Sequence, residues 1–294
     1  MTDSAGYAQA CRQTRPPAGP GLEMDDEQFA EWTRLLAHRT GLFIAPERRS
    51  FLASGIRARM RENDCPTPRE YYDRLLSSSA DGDEWSLLID TLTVHETCFF
   101  RHQSSMRLVA EELVPQAFGR GGAFRAWSVG CASGEETYSL AMLMDSCTAD
   151  SRETLDWRVT GLDISKPALH LARQGVYLQR RLRDIPVAFQ HRYCRQISGS
   201  HFRIVDGLRE HVDFSRLNLR DLDAVGAQGL DLVYCQNLLI YYDRQRRIEI
   251  VDWLAACLRT GGALVLGPGE LLDWKHLNME KVRYPDTLAY RRTN

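Results

Sequence analysis

A change of pattern near residue 120 constrains the fold of this chain more than any other feature. After Gly119-Arg-Gly-Gly122, short apolar stretches alternate with helical ones; the apolar stretches are FRAWSVG, WRVTGLDI, HVDFSRLN, LDLVYCQN and GGALVLG. This alternation predicts a doubly wound α/β domain with a mostly parallel sheet, which we place at residues 97–294. The stretch KVRYPDTLAYRR predicts a closing hairpin with Pro-Asp at its turn.

Residues 24–96 instead have a purely helical pattern. Phe29, Trp32 and Leu35 recur at helical spacing, and Gly41 is positioned to end that helix. A second helix is expected over 46–63, and PTPREYYDRLL and DGDEWSLLIDTL predict a third and a fourth. We therefore expect a small helical domain over 24–96, preceded by a disordered tail at residues 1–23, which are rich in Gly, Pro, Ala and Ser.

Composition excludes several classes of protein. The formal net charge of −2 gives no general signature of nucleic-acid binding. The eight cysteines contain no CxxC pair and have no histidine at metal-ligand spacing, so we expect reduced thiols and no metal site. No apolar run approaches the roughly 18 residues of a membrane span, and no signal peptide is evident. We expect a cytoplasmic protein without membrane insertion.

The turn Gly130-Cys-Ala-Ser-Gly134 joins the first strand to its helix, which is the usual nucleotide site of such a sheet. Helix N-termini favour phosphate, yet Glu135 and Glu136 follow this turn at once. Unit charges about 4 Å apart repel by about 4 kcal/mol at an effective dielectric of about 20, which disfavours a pyrophosphate. S-adenosylmethionine fits better, because it has a ribose for Asp163, a cationic end and no phosphate. The residues alone leave open that the glutamates merely stabilise the helix start.

Five motifs follow one another along the chain: LTVHETCFFRH (92–102), WSVGCASGEETYSLAM (127–142), GLDIS (161–165), LNL (217–219) and CQNLLIYYD (235–243). In this order and at these spacings they resemble the CheR family, the chemoreceptor glutamate O-methyltransferases. The resemblance covers nearly the whole chain after residue 24. It implies a small N-terminal helical domain and a Rossmann-like S-adenosylmethionine-dependent methyltransferase domain. A small antiparallel β-subdomain is expected as an insertion at about 190–215.

The resemblance also implies the site. Glu136 would hold the α-ammonium group of S-adenosylmethionine, and Asp163 would hold the ribose hydroxyls. Arg101 and Tyr241 would border the transferred methyl group and are the candidate catalytic residues. The candidate cofactor-binding residues are His95, Thr97, Arg101, Glu136, Asp163, Asn218, Leu219, Gln236 and Asn237. The expected product of the cofactor is S-adenosylhomocysteine.

The implied reaction, methylation of a glutamate γ-carboxylate, needs few catalytic groups. The reference pKa of glutamate is about 4.3, so the nucleophile is already ionised at neutral pH and needs no general base. A guanidinium can hold one carboxylate oxygen and leave the other free, which is the role we assign to Arg101. Many amino methyltransferases carry a Pro-Pro-aromatic stretch after the fourth strand, whereas QNLLIYY has no proline.

A basic run lies in the second predicted helix. It contains Arg48, Arg49, Arg57, Arg59 and Arg61. Arg57 and Arg61 share the helix face opposite Leu52 and Ile56. Two interpretations remain open: a solvated charged face, or a dock for the acidic coiled coil of a chemoreceptor, as the resemblance implies. We expect a monomer.

The chain departs from the family pattern at three places. His95 stands where the family typically has asparagine, Gln236 where it has arginine, and Gly267-Pro-Gly-Glu270 replaces Gly-His-Ser-Glu. CQNLLIYY and GPGELLDW are more similar to members linked to type IV pilus chemosensory systems than to flagellar ones. Two alternatives therefore stay open: a non-catalytic S-adenosylmethionine-binding regulator, and a carboxyl methyltransferase for another protein or a small molecule.

Overall fold

The computed structural model describes residues 24–78, 82–93, 97–118, 122–149, 156–222 and 229–294. The predicted tail lies outside these residues. Four helices come first: α1 (Asp26–Thr40), α2 (Arg49–Glu62), α3 (Pro68–Ser77) and α4 (Asp83–Leu92). Asp25 and Gln28 form a capping box at the start of α1, and Gly41 ends it in the left-handed conformation, with φ 75°.

The four helices share one apolar core. Phe29 and Trp32 of α1 are buried, as expected, against Leu52 and Ile56 of α2. Helices α2 and α4 approach closely at Gly55, where an added Cβ would lie 2.7 Å from the Cδ2 atom of Leu92. The predicted second helix begins as a 3₁₀ turn (Pro46–Arg48), with Pro46 at a first position where its missing backbone N–H costs no hydrogen bond.

Arg59, a member of the basic run, is buried in this domain. Its guanidinium donates to both carboxylate oxygens of Glu84, at 3.1 and 2.7 Å, and the Tyr71 hydroxyl donates to the same carboxylate at 2.6 Å. Burial works against the charge of Glu84, but the hydrogen bonds from Arg59 and Tyr71 lower the pKa of its carboxyl below the ordinary value. The basic run is therefore not a uniformly exposed surface.

The remaining chain forms the predicted doubly wound sheet. Its strands are β1 (Phe124–Val129), β2 (Trp157–Asp163), β6 (Val212–Arg216), β7 (Leu230–Cys235), β8 (Leu258–Leu266), β9 (Met279–Val282) and β10 (Leu288–Arg292). The spatial order is β6-β2-β1-β7-β8-β10-β9, and the first five strands are parallel. The chain runs outward from β1 to β6 and returns to β7 on the other side, so the topological switch point lies between β1 and β7.

The closing hairpin is confirmed. Strand β10 pairs antiparallel with both β8 and β9. Asp286, in the connection between β9 and β10, has a φ of 49°, a left-handed conformation that aspartate tolerates better than most residues. The hairpin adds two antiparallel strands to one edge of the parallel sheet.

Helices cover both faces of this sheet. They are α5 (Gln103–Leu108), α6 (Val114–Phe118), α7 (Glu135–Ala149), α8 (Lys166–Gln174), α9 (Val187–Tyr193), α10 (Asp206–Arg209) and α11 (Arg244–Ala256), and a π-helical turn (Val109–Leu113) joins α5 to α6. One apolar layer contains Ala126 and Tyr138, and the other contains Trp127 and Leu254. In the part of the chain that the structure describes, no helix has the length and apolar character needed to cross a membrane.

A small antiparallel sheet is present, but its position differs from the expected 190–215. It consists of β3 (Val176–Leu178), β4 (Cys194–Gln196) and β5 (His201–Ile204), in the order β3-β5-β4. It begins earlier because residues 176–178, too short to show a period, form a strand that is fixed by packing. The Tyr177 ring lies 5.0 Å from Phe99 and 5.8 Å from Phe202. Residues 212–216 instead form β6 of the main sheet.

We expect Glu84→Gln to lower the free energy of unfolding by about 2–4 kcal/mol, because it removes the anion that pairs with two nitrogens of the buried Arg59 and leaves only the exposed Glu62 as its carboxylate partner. The pKa of Glu84 is lowered in the folded state. The stability that ionised Glu84 contributes is therefore present above the ordinary pKa of 4.5 and is lost as the pH falls below that value. Urea unfolding at neutral and acid pH measures both effects. The control is Glu31→Gln, which removes an exposed pair with Arg69 and should cost less than about 1 kcal/mol. An equal loss of unfolding free energy in Glu84→Gln and Glu31→Gln would contradict the stabilising role of the Arg59–Glu84 pair.

Candidate active site

A cavity of about 360 Å³ lies at the carboxyl ends of β1, β2 and β7, where the topological switch point places ligand sites. Seven of the predicted site residues line it: Thr97, Arg101, Glu136, Asp163, Gln236, Asn237 and Tyr241. His95 lies outside the described residues. Asn218 and Leu219 do not line this cavity. The structure therefore gathers most of the predicted site, drawn from four separate segments, around one space.

The turn after β1 needs small residues for two physical reasons. Gly130, Ala132 and Gly134 all have positive φ, of 80°, 47° and 93°. A Cβ on Gly134 would lie 2.9 Å from the Cβ of Ala172 in α8, and one on Gly130 would lie 3.1 Å from Leu238. The left-handed conformation at Ala132 is uncommon for a residue with a Cβ. The turn is thus held in its shape by its surroundings.

Asp163, the last residue of β2, supplies that support. Its Oδ2 atom accepts a hydrogen bond from the backbone N–H of Ala132 at 2.8 Å. Its Oδ1 atom accepts from the backbone N–H of Ser165, also at 2.8 Å. Carboxylate oxygens have more lone pairs than these two bonds use, so Asp163 can also accept from a ribose hydroxyl.

The two glutamates after the turn face different surroundings. Glu135 is 2% exposed, does not line the cavity, and accepts a hydrogen bond from the Ser133 hydroxyl at 2.6 Å. Glu136 lines the cavity and accepts from the Ser128 hydroxyl at 2.7 Å. Burial raises the pKa of the Glu136 carboxyl to about 8, although Ser128 and the charge of Arg101 act against this. Only one of the two carboxylates is therefore available to a ligand.

Arg101 and its neighbour His102 follow the left-handed residue Phe100, whose φ is 52°. Arg101 is exposed and lines the cavity, and its charge acts on Glu136. The His102 Nε2 atom lies 2.7 Å from Asn237 Oδ1, which can only accept, so the histidine donates this bond. Burial lowers the pKa of His102, although the hydrogen bond to Asn237 acts against this. His102 was not among the site residues expected from the sequence, although it adjoins Arg101.

Gln236 is neutral, and its hydrogen bonds give it a structural role. Its amide nitrogen donates to the Ser105 hydroxyl at 2.9 Å and to the Leu266 carbonyl at 3.2 Å. Its amide oxygen accepts from the Tyr234 hydroxyl at 3.1 Å. These bonds tie the end of β7 to α5 and β8. Where the family pattern has an arginine, this chain therefore has a neutral side chain whose amide nitrogen and oxygen are both hydrogen-bonded in the interior.

Tyr241 lies in a 3₁₀ turn (Leu239–Tyr241) that another carboxylate organises. Glu270 is buried and accepts from the backbone N–H groups of Leu239 and Gly267, at 3.0 and 2.9 Å. The Tyr241 carbonyl in turn accepts from the Phe43 N–H at 2.8 Å. The helical domain is therefore bonded directly to the segment that carries the second candidate catalytic residue.

Asn218 also links the two domains. Its side-chain amide donates to the Arg39 carbonyl at 3.1 Å, and its oxygen accepts from the Arg220 N–H at 3.1 Å. This position explains why Asn218 does not line the cavity. Cavity-lining residues that sequence reasoning missed include Leu42, Arg48, Thr93, Cys98, His102 and Tyr242.

The donor set around the cavity fits S-adenosylmethionine. A carboxylate for an ammonium group and a second one for ribose hydroxyls face one space, next to a turn without an adjacent basic residue. The fold and this site define an S-adenosylmethionine-dependent methyltransferase. No group of three or more His, Cys, Asp or Glu within the described ranges is arranged to hold a metal ion.

Comparisons with known proteins give the family. The model of the CheR methyltransferase SAM-binding domain matches residues 95–287, and that of the CheR methyltransferase all-alpha domain matches residues 27–93. The chain belongs to the CheR methyltransferase family.

Two relatives illustrate the range of the family. The chain is 31% identical to the chemotaxis protein methyltransferase of Escherichia coli (strain K12), over 87% of each chain. It is 32% identical to the probable biofilm formation methyltransferase WspC of Pseudomonas aeruginosa, over 89% of this chain but only 61% of that protein. The similarity thus extends to chemotaxis methyltransferases and to a methyltransferase of another cellular process.

We expect binding of S-adenosylhomocysteine to release close to one proton at slightly acid pH. The free Glu136 carboxyl, with a pKa of about 8, is mostly protonated there, whereas the ligand's ammonium favours the ionised form. The ligand amine, with a reference pKa of about 7.7–8.0, stays protonated at this pH. Calorimetry in two buffers of different ionisation enthalpy measures the release. Glu136→Gln should bind more weakly and release no proton; a wild type without proton release would contradict the assignment.

The same shift has a consequence for stability. The pKa of Glu136 is raised in the folded, ligand-free protein. The stability that protonated Glu136 contributes is therefore fully present below the ordinary pKa of 4.5 and is lost as the pH rises through about 8. Saturating S-adenosylhomocysteine should remove much of this loss, because the ammonium compensates the carboxylate.

Proposed function

We propose that the protein transfers the methyl group of S-adenosylmethionine to the γ-carboxylate of glutamate residues in methyl-accepting chemoreceptors. The observation that carries the proposal is the placement of Arg101, exposed at the cavity that Glu136 and Asp163 also line. A guanidinium beside the methyl donor attracts a carboxylate acceptor rather than an amine. The similarity to a chemotaxis protein methyltransferase supports the choice of substrate.

In this reaction each of the cavity-lining residues would have a separate role. Glu136 holds the ammonium group and Asp163 the ribose of the cofactor, which supplies an electrophilic methyl group on a sulfonium that leaves as a neutral thioether. Arg101 holds one oxygen of the acceptor carboxylate by charge-assisted hydrogen bonds. Tyr241, on the turn fixed by Glu270, borders the same space and limits where the acceptor can sit. The attacking oxygen, the methyl carbon and the sulfur must be in line, which is a problem of orientation.

No proton needs to be removed in this reaction. A glutamate with a reference pKa of about 4.3 arrives ionised at neutral pH. The cavity agrees with this requirement, because the Nε2–H group of His102, which lines it, already donates to Asn237. The chemistry therefore depends on alignment and exclusion of water more than on acid–base groups.

The experiment that tests this function is transfer of labelled methyl groups from S-adenosylmethionine into cytoplasmic fragments of methyl-accepting receptors from the same cell. Carboxyl methyl esters are hydrolysed by mild base, so the label should be released as methanol. A base-stable label would contradict carboxyl methylation. Transfer to other proteins but not to receptors would favour a different carboxylate substrate, and absence of transfer would favour a cofactor-binding regulator.

We expect Arg101→Lys to keep most of the affinity for S-adenosylhomocysteine but to lower the methyl-transfer rate by on the order of 100-fold. Lysine keeps the charge but loses the planar fork that orients a carboxylate, and a misplacement of about 1 Å has an effect of this size. Single-turnover transfer at saturating cofactor measures the rate, which should stay flat from about pH 6 to 8. Equal rates in wild type and Arg101→Lys would mean that Arg101 has only a structural role. Tyr241 would then have to align the acceptor carboxylate.

We further propose that the enzyme works as a cytoplasmic monomer that docks on the receptor's acidic coiled coil through α2. The basic run supports this only in part, since Arg59 is buried against Glu84. Arg61 is exposed and Arg57 is half-buried, which leaves these two as the docking candidates.

Charge reversal at Arg57 and Arg61 should slow association with the receptor fragment. The effect should shrink with added salt, because the Debye length falls from about 10 Å at 0.1 M to about 3 Å at 1 M. The methyl-transfer rate at saturating receptor should change little. Stopped-flow association at several salt concentrations provides the measurement; a loss that salt leaves unchanged, or no loss, would identify a solvated face instead.

A further inference from the structure

Arg48 gives the cavity a second guanidinium, contributed by the helical domain. It is the last residue of the 3₁₀ turn (Pro46–Arg48) and lines the cavity together with Leu42 and Thr93 of the same domain. In the sequence, Arg48 falls within the basic run of the second predicted helix. Its position at the cavity separates it from the docking candidates Arg57 and Arg61, which do not line this space.

The local structure holds Arg48 in place. Its backbone N–H donates to the Ala45 carbonyl at 2.9 Å, which closes the 3₁₀ turn. The guanidinium carbon lies 4.5 Å from the centre of the half-buried Phe51 ring, within the range of a cation–π contact. Among the residues that the structure describes, no carboxylate lies within ion-pair distance of Arg48. Its charge is therefore preorganised and open to an outside anion.

Arg48 and Arg101 reach the cavity from different domains. Arg101 belongs to the methyltransferase domain, and its charge acts on Glu136, the residue that would hold the ammonium of the cofactor. Arg48 belongs to the helical domain, whose Leu42 and Thr93 line the same space. The helical domain therefore adds a second cation to a cavity that is formed mostly by the methyltransferase domain.

An exposed apolar side chain also lines this cavity. Ile240 is 52% exposed. It directly precedes Tyr241, the second candidate catalytic residue. A cation and an exposed apolar side chain at one cavity suit a partner that presents acidic and apolar groups together.

We propose that Arg48 is a positioning residue for the acceptor segment, whose acidic side chains it holds at the mouth of the cavity while Ile240 contacts an apolar neighbour. This inference rests on the proposed function and deepens it. The acceptor is then a segment with negative charge and an adjacent apolar residue, and not an isolated glutamate. The helical domain takes part in substrate selection through a residue at the site itself, in addition to any remote docking.

The test is to compare Arg48→Gln with wild type using the receptor's cytoplasmic fragment. We expect the KM for the fragment to rise about tenfold, which corresponds to about 1.4 kcal/mol. The kcat at saturating fragment and the Kd of S-adenosylhomocysteine should stay within about threefold. Arg48→Lys should recover most of the KM, because the positive charge is kept. The matched control is Arg34→Gln, an exposed arginine of α1, which should leave all three values unchanged.

Two results would overturn the proposal. A KM equal to that of wild type would make Arg48 a surface residue, and a large loss of S-adenosylhomocysteine affinity would assign it to the cofactor. Phe51→Leu separates positioning from folding: it removes the ring beneath the guanidinium, so it should raise the KM while the melting temperature stays close to that of Arg48→Gln. A normal KM in this variant would contradict the preorganisation of Arg48.

Binding of the receptor fragment to the enzyme loaded with S-adenosylhomocysteine keeps this inference distinct from the proposed function. If wild type binds the fragment but transfers no methyl group, the proposed function fails. Tenfold weaker binding by Arg48→Gln would still support its role, and unchanged binding would refute it.

Discussion

The bridge that Asp163 forms between two backbone N–H groups is the interaction on which the cavity depends. By accepting from Ala132 and Ser165, this carboxylate fixes the turn after β1 against the start of α8. Ala132 has a positive φ, a conformation that persists only where the surroundings enforce it. The carboxylate thus shapes the cradle as well as offering a ligand group. This double use explains how the turn can keep Ala132, rather than a third glycine, at a positive φ, and it makes Asp163 a residue whose loss would disturb both shape and binding.

A second level of order comes from contacts between the two domains. The Ser165 hydroxyl, next to the Asp163 bridge, donates to Asp90 of α4 at 2.6 Å. The backbone of Phe43 donates to Tyr241, and Asn218 donates to the carbonyl of Arg39. Each contact joins the helical domain to a segment at or next to the site. Under the proposed function, the helical domain would therefore set the mouth of the cavity as well as meeting the receptor.

Much of this architecture follows from the sequence, because local patterns encode it. The switch from helical spacing to alternating strands and helices predicts both domains, and the turn with Glu136 predicts a phosphate-free cofactor cradle. Other features depend on contacts between distant residues. The burial of Arg59 requires Glu84, and the exclusion of Asn218 from the cavity follows from its bond to Arg39. Strand β3 is too short to show a pattern, and nothing in the sequence separates Arg48 from its basic neighbours. Periodicity identifies elements, whereas the partners of a side chain emerge only in the folded structure.

The central claim is that one carboxylate at the helix start holds the cationic end of S-adenosylmethionine while the carboxylate at the end of β2 holds its ribose. A crystal structure with S-adenosylhomocysteine tests this most directly. The account predicts the ligand's ammonium nitrogen within hydrogen-bond distance, about 2.7–3.2 Å, of a Glu136 oxygen. It also predicts both ribose hydroxyls against Asp163, with Arg101 on the side where the sulfur lies. A ligand bound elsewhere, or one whose ammonium faces away from Glu136, would contradict the account.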